Sequence, residues 1–160
     1  MADIHIEEFY KDAAIALVQL YNAFPRRVDL YVEDIAGPDE PDEFGLHSRR
    51  HMAGFGTLLW LGEENFLRYI DTIRQDALGQ AVLTQAAFIR LSAPASATLA
   101  AEVAPRALES AAKAPPTVQE DFSTHIHLLR EALSHGSSAR ISRIARATLF
   151  DRATPKAEDH

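Results

Sequence analysis

Residues 47–92 read HSRRHMAGFGTLLWLGEENFLRYIDTIRQDALGQAVLTQAAFIRLS, and the order of patterns within this stretch decides the fold class. Met52, Phe55 and Leu59 recur at three- and four-residue spacing and so share one face of a helix. Trp60 and Leu61 fall on other faces, which predicts a helix covered by several neighbours and central to the fold. Gly54 and Gly56 each cost about 1 kcal/mol against alanine in a helix interior, so a close approach by a neighbouring element is expected there. The GFG run is not a phosphate loop, because no strand precedes it and no Gly-Lys-Ser/Thr follows.

Beyond Glu63 and Glu64, Asn65 can take the left-handed conformation that ends a helix. Phe66 to Arg74 carries the aromatic and β-branched residues of a strand, with Leu67, Tyr69 and Ile73 on one side and Phe66, Ile70 and Thr72 on the other. Arg74 to Gln80 is polar and contains Gly79, which predicts a turn, and Ala81, Val82 and Leu83 return as a short strand. Thr84 is an N-cap for a second helix, with Leu83 and Phe88 placed to form a hydrophobic staple.

These residues resemble the second half of a bacterial winged-helix domain. The matching positions are Thr57 to Leu61, Glu63 to Tyr69, and the Leu83–Thr84 pair; they cover about a quarter of the chain, and Asn65 stands where that family commonly has glycine. The resemblance implies an α+β, mostly helical fold. It consists of a winged-helix-like core in residues 1–92 with a small antiparallel sheet, then an Ala/Pro-rich helical connector at 93–116. A C-terminal helical pair at 117–152, a candidate dimerisation segment, and a tail at 153–160 complete the expected division.

Working outward toward the N-terminus, Ile6, Phe9, Tyr10, Ala13, Ala14, Leu17, Leu20, Tyr21 and Phe24 follow helical spacing until Pro25 closes the run. Val28, Leu30 and Val32 alternate with Asp29, Tyr31 and Glu33, the period of a half-buried strand that can join the two later ones in a three-stranded sheet. EDIAGPDEPDEFGL at 33–46 is read as loop. It has neither the alternating oxygen ligands nor the closing glutamate of a calcium loop. His47 and His51 stand four apart, as zinc-binding pairs do on a helix. With no HExxH glutamate and no third ligand evident in the sequence, they are read as capping or packing histidines, and no metal or other cofactor is expected.

Toward the C-terminus, Leu99, Val103 and Leu108 suggest short helices broken near Pro105. Thr117 and Glu120 form a capping-box pattern, and Val118, Phe122, Ile126, Leu129 and Leu133 then line one face as far as Gly136. From Ser138 to Phe150, Ile141, Ile144, Ala145, Thr148 and Leu149 form an apolar stripe opposite Arg140, Arg143 and Arg146. A helix this short needs its stripe packed on the body or on a second subunit.

The 160 residues contain no cysteine, which removes disulfides and thiol chemistry. An acidic N-terminus and the lack of a membrane-length apolar run predict a soluble, cytoplasmic protein. The net charge of −7 is unevenly spread: residues 1–46 hold 11 acidic and 3 basic side chains. Nucleophile elbows, nucleotide fingerprints and HExxH are all absent from the sequence, so catalysis is not expected.

Two functions remain. The resemblance implies a winged-helix DNA-binding transcriptional regulator, with Arg49, Arg50, Arg68, Arg74 and Gln75 as nucleic-acid contacts. The charge balance favours instead a protein-interaction module, with Asp39, Glu40, Asp42 and Glu43 or Arg140, Arg143 and Arg146 as partner contacts. A homodimer is expected in either case.

Overall fold

The computed structural model describes residues 3–106, 113, 115–116 and 123–151. The fold is α+β and mostly helical. The described residues form α1 (Ile4–Ala23), β1 (Val28–Tyr31), α2 (Glu33–Ala36), α3 (Arg49–Glu63), β2 (Leu67–Arg68), β3 (Asp71–Ile73), β4 (Ala77–Leu83), α4 (Gln85–Ser92), α5 (Ala97–Val103), α6 (His125–His135) and α7 (Ser138–Phe150). None of these helices is long and apolar enough to cross a membrane. The leading residues of the expected 117–136 helix, Thr117 to Phe122, lie outside the described residues, as does Leu108.

The centre of the fold is α1, not α3. Ala13, Ala14 and Ala16 are fully buried beside Leu17 and Leu20, and such small side chains let several elements approach one helix closely. α3, α6, α7 and β4 all pack on α1. α3 buries His51, Gly54, Phe55, Thr57, Leu58 and Leu61 and leaves Arg49, Ala53 and Gly56 exposed. The expected close approach occurs at Gly54, where a Cβ would stand 3.0 Å from Ala36 Cβ and 3.2 Å from Val32 Cγ1. Nothing lies within 4 Å of the corresponding point at Gly56, whose glycine is not explained by packing.

Antiparallel pairing places β4 at the middle of the sheet. β1 lies along one edge, with Leu30 opposite Leu78, while β2 and β3 follow each other along the opposite edge, with Leu67 opposite Leu83 and Thr72 opposite Leu78. The polar interval expected to turn from Arg74 to Gln80 is shorter: Arg74 to Asp76 make the turn, and Ala77, Leu78 and Gly79 already belong to β4. The sequence hid this because Gln80 breaks the alternation. Its φ is 55°, its amide donates to Asp29 Oδ1 at 3.0 Å, and the β1–β4 register shifts beside it.

Local signals at the helix ends behave as their chemistry requires. Asn65 adopts φ 64° after α3. The Thr84 hydroxyl accepts from the Ala87 amide at 3.1 Å and donates to the Asn65 carbonyl at 2.8 Å, so one side chain caps α4 and ties it to the end of α3. Phe88 stacks on Phe24, with ring centroids 4.4 Å apart. The expected continuous helix from Thr117 is interrupted, because Thr124 is extended, bridges to Pro94 and caps α6 through the His127 amide. The apolar stripe of α7 is buried within the chain itself. Arg90 of α4 donates to the carbonyls of Thr148, Leu149 and Asp151 at its end. Residues from Ala13 to Leu149 thus share one core.

α1 and α3 are joined by an ion pair in this core. Asp12 is 1% exposed, and Arg50 clamps it with Nη1 on Oδ2 at 2.7 Å and Nη2 on Oδ1 at 2.6 Å. Removing the guanidinium strands a buried carboxylate, the expensive way to break such a pair. Arg50→Ala is expected to lose about 3 kcal/mol in urea denaturation, the low end for a broken buried pair because the arginine is itself partly exposed. An Asp12→Leu/Arg50→Leu double variant is expected to recover most of that loss.

Candidate functional site

Loop 37–48 leaves α2, folds back over the start of α3, and meets the β3–β4 turn across a cleft. The cleft has a volume of about 710 Å³ and is lined by Tyr31, Glu33, Asp39, Pro41, Gly45, His47, His51, Arg74, Gln75 and Asp76. Asp42 shapes the outer part of the loop by accepting from the Phe44 and Leu46 amides, each at 2.9 Å. Asp39 pins the inner part: its Oδ2 accepts from the Ser48 amide at 3.1 Å and lies 3.0 Å from His47 Nδ1. Hydrogen bonding from Ser48 is the main cause that lowers the Asp39 pKa from 3.8 to about 2. It outweighs partial desolvation and is helped by His47 and by the charge of His51.

The imidazoles of His47 and His51 stack with centroids 3.8 Å apart and an 11° angle between planes. Only His51 belongs to α3; His47 precedes the extended N-cap Ser48, so the path of the loop, not the helical spacing expected of the pair, brings the two rings together. Their Nδ1 atoms face Asp39, while their Nε2 atoms face the hairpin turn. His47 Nε2 lies 3.0 Å from Asp76 Oδ1, and His51 Nε2 lies 2.7 Å from the Gln75 carbonyl oxygen. A carbonyl oxygen only accepts, so His51 Nε2 carries a proton. His51 Nδ1 is buried with no hydrogen-bond partner and stands 4.0 Å from Asp39 Oδ2. Asp39, His47 and His51 together can offer three metal-ligating atoms within 4.8 Å of one another. Asp39, read from the sequence as a partner contact, is the third group of this cluster, which sequence reading did not join to the histidines. It lies eight residues before His47, in a loop whose path no periodicity encodes.

Of the expected nucleic-acid contacts, Arg49, Arg50, Arg74 and Gln75 lie near the start of α3, and Arg68 lies apart on β2. Arg50 pairs with the buried Asp12 while remaining partly exposed, and the bond to Asp12 raises the arginine pKa despite its own desolvation. Arg49 is exposed at the start of α3, and Arg68 is exposed on β2. Arg74 and Gln75 form the hairpin turn, where they share the cleft with Glu33, Asp39 and Asp76. The outer face of α3 beyond Arg49 presents Ala53 and Gly56, which floor an apolar groove of about 430 Å³ with Ile6, Phe9, Trp60 and Phe150.

Of the expected partner contacts, Asp39 and Asp42 hold the loop together, whereas Glu40 and Glu43 are exposed. Between and beside them the loop turns two large apolar side chains outward, Phe44 at 79% and Leu46 at 64% exposure. Arg140, Arg143 and Arg146 all face solvent on α7, with Arg143 Nε donating to Glu102 at 2.9 Å.

Compared with protein-family models, with curated proteins and with solved structures, the chain matches none.

The two amide contacts of Asp42 give the loop its outer shape, so Asp42→Ala is expected to release it locally. Amide hydrogen exchange at Phe44 and Leu46 should rise about tenfold or more with the core amides of α1 unchanged.

Proposed function

We propose that the protein is a non-catalytic interaction module that binds a protein partner, on a winged-helix-like scaffold. The observation that carries this reading is the exposure of Phe44 and Leu46 on a structured loop bearing Glu40 and Glu43. Large apolar side chains held in water by a hydrogen-bonded loop are favourable once a partner covers them. The flanking carboxylates select a partner surface that is apolar at its centre and basic around it.

The scaffold part of the reading is supported by element order. Helix, strand, two helices and a hairpin follow one another, with the last strand of the hairpin lying between its first strand and β1. Winged-helix domains have this order, although here α2 is one turn and residues 37–48 separate it from α3.

DNA binding is the weaker of the two readings. Reading base edges needs donors and acceptors on the face that enters a groove, and the outer face of α3 beyond Arg49 is formed by Ala53 and Gly56. Arg50 is committed to Asp12, and the hairpin arginine stands among carboxylates that repel phosphate. What favours DNA is the exposure of Arg49, Arg74 and Gln75 near the same end of α3.

Two measurements separate these readings. Random-sequence duplex titrated at low salt is expected to show no binding. The purified wild-type chain is expected to form a stoichiometric complex with its partner that a Phe44→Asp/Leu46→Asp variant weakens about tenfold or more. Salt-sensitive duplex binding that disappears in an Arg49→Ala/Arg74→Ala variant, with no effect of the loop substitutions, would overturn the proposal.

A further inference from the structure

We propose that Asp39 Oδ2, His47 Nδ1 and His51 Nδ1 form a binding site for one divalent transition-metal ion of the zinc class, with its open position toward the cleft. The geometry of the cluster makes the case: the three ligand atoms lie within 4.8 Å of one another, and one of them is buried without a partner. His51 is 4% exposed, and its Nε2 proton is committed to the Gln75 carbonyl. Its Nδ1 is buried without a hydrogen-bond partner and faces Asp39 Oδ2 across 4.0 Å, too far for a hydrogen bond and placed for a cation bound by both atoms.

His47 has the same difficulty in another form. Both of its nitrogens lie 3.0 Å from a carboxylate, Asp39 on one side and Asp76 on the other, and a neutral imidazole can donate to only one of them. A protonated His47 donates to both carboxylates but leaves His51 Nδ1 without a partner, and protonating both rings would stack two imidazolium cations 3.8 Å apart. A single dication at the Nδ1 side replaces both protons at once. It leaves each Nε2 proton on an oxygen acceptor, that of His47 on Asp76 and that of His51 on Gln75.

This outer arrangement also identifies the cluster as a built site. Metal-bound histidines characteristically donate their second N–H to a carboxylate or a backbone carbonyl, which fixes tautomer and ring orientation. Both forms occur here, each supplied by the hairpin turn while the ligands come from the loop and α3. Two imidazole nitrogens and one carboxylate oxygen suit zinc and its neighbours and do not suit magnesium or calcium. Three protein ligands with one face open leave a position for water or a ligand atom. Zinc bonds of about 2.0–2.2 Å require the ligand atoms to draw closer than their present spread and the rings to tilt out of parallel, a movement the loop can supply.

The site ties loop 37–48 to the start of α3 and adds positive charge to an acidic cleft, so it sets the loop's rigidity independently of any partner. The test uses the full chain, purified without a histidine tag and stripped with chelator, titrated with Zn²⁺ by calorimetry and with Co²⁺ by visible absorption. The expected result is one ion per chain, tetrahedral cobalt bands, a raised unfolding midpoint, and a change in the His47 and His51 Nδ1 nitrogen resonances. Asp39→Asn and His47→Gln are each expected to weaken Zn²⁺ at least tenfold, and Asp76→Asn to weaken it about tenfold through the outer contact. His51→Ala adds the third ligand if it folds, as circular dichroism will show; the other variants keep the test decisive if it does not. Absence of one-to-one binding, or binding that survives in both Asp39→Asn and His47→Gln, would overturn the proposal.

Discussion

The pairing of Asp12 with Arg50 is the constraint on which the arrangement of α1, α3 and the loop depends. A carboxylate on a helix face otherwise made of alanine and leucine is tolerable only when fully neutralised, and the bidentate guanidinium does this at 2.6 and 2.7 Å. Many apolar packings of α1 on α3 would bury similar area. Far fewer place a guanidinium against Asp12, so the pair selects one register among near-equivalents. With α3 held in that register, Gly54 faces Val32 and Ala36, and the start of the helix points His51 at the hairpin turn, beside His47 from the loop.

That placement gives the two ends of α3 different characters. At its C-terminal end the contacts are local and satisfied: Asn65 turns the chain, and Thr84 closes onto its carbonyl. The N-terminal end meets a loop rich in acid, a pair of imidazoles and the β3–β4 turn, and here several polar groups compete for few protons. Asp39 remains ionised well below neutrality because Ser48 and its neighbours stabilise its charge. The molecule thus has a hydrophobically determined body and an electrostatically determined end, and the features suited to recognition lie at the latter.

The same separation explains why α7 does not present its apolar face to a partner. Ile141, Ile144, Ala145, Thr148 and Leu149 pack inside the chain, and Arg90 closes the last carbonyls of the helix. Exposed large apolar residues occur singly elsewhere, as at Ile4, Ile70 and Ile89, but on the loop Phe44 and Leu46 stand together beside exposed glutamates. On this loop charge and exposed apolar surface coincide, in a segment that sequence composition alone marks only as acidic loop.

By itself, the sequence determined whatever depends on near neighbours in the chain. Periodicity placed α1, α3 and α7, alternation placed β1, and Asn65, Thr84 and Pro25 marked boundaries, because each of these signals acts within a few residues. Tertiary structure alone decided what depends on partners far along the chain. That α1 rather than α3 is central follows from the small side chains at Ala13, Ala14 and Ala16, which a hydrophobicity pattern scores weakly. That Arg50 neutralises Asp12 rather than facing solvent follows from burial of a carboxylate 38 positions away. The joining of Asp39 to His47 and His51 has the same origin. His47 lies before the helix, so the fold of the loop brings the histidines together, and with the hairpin turn it supplies the acid, the carbonyl and the second carboxylate that give the pair its chemistry.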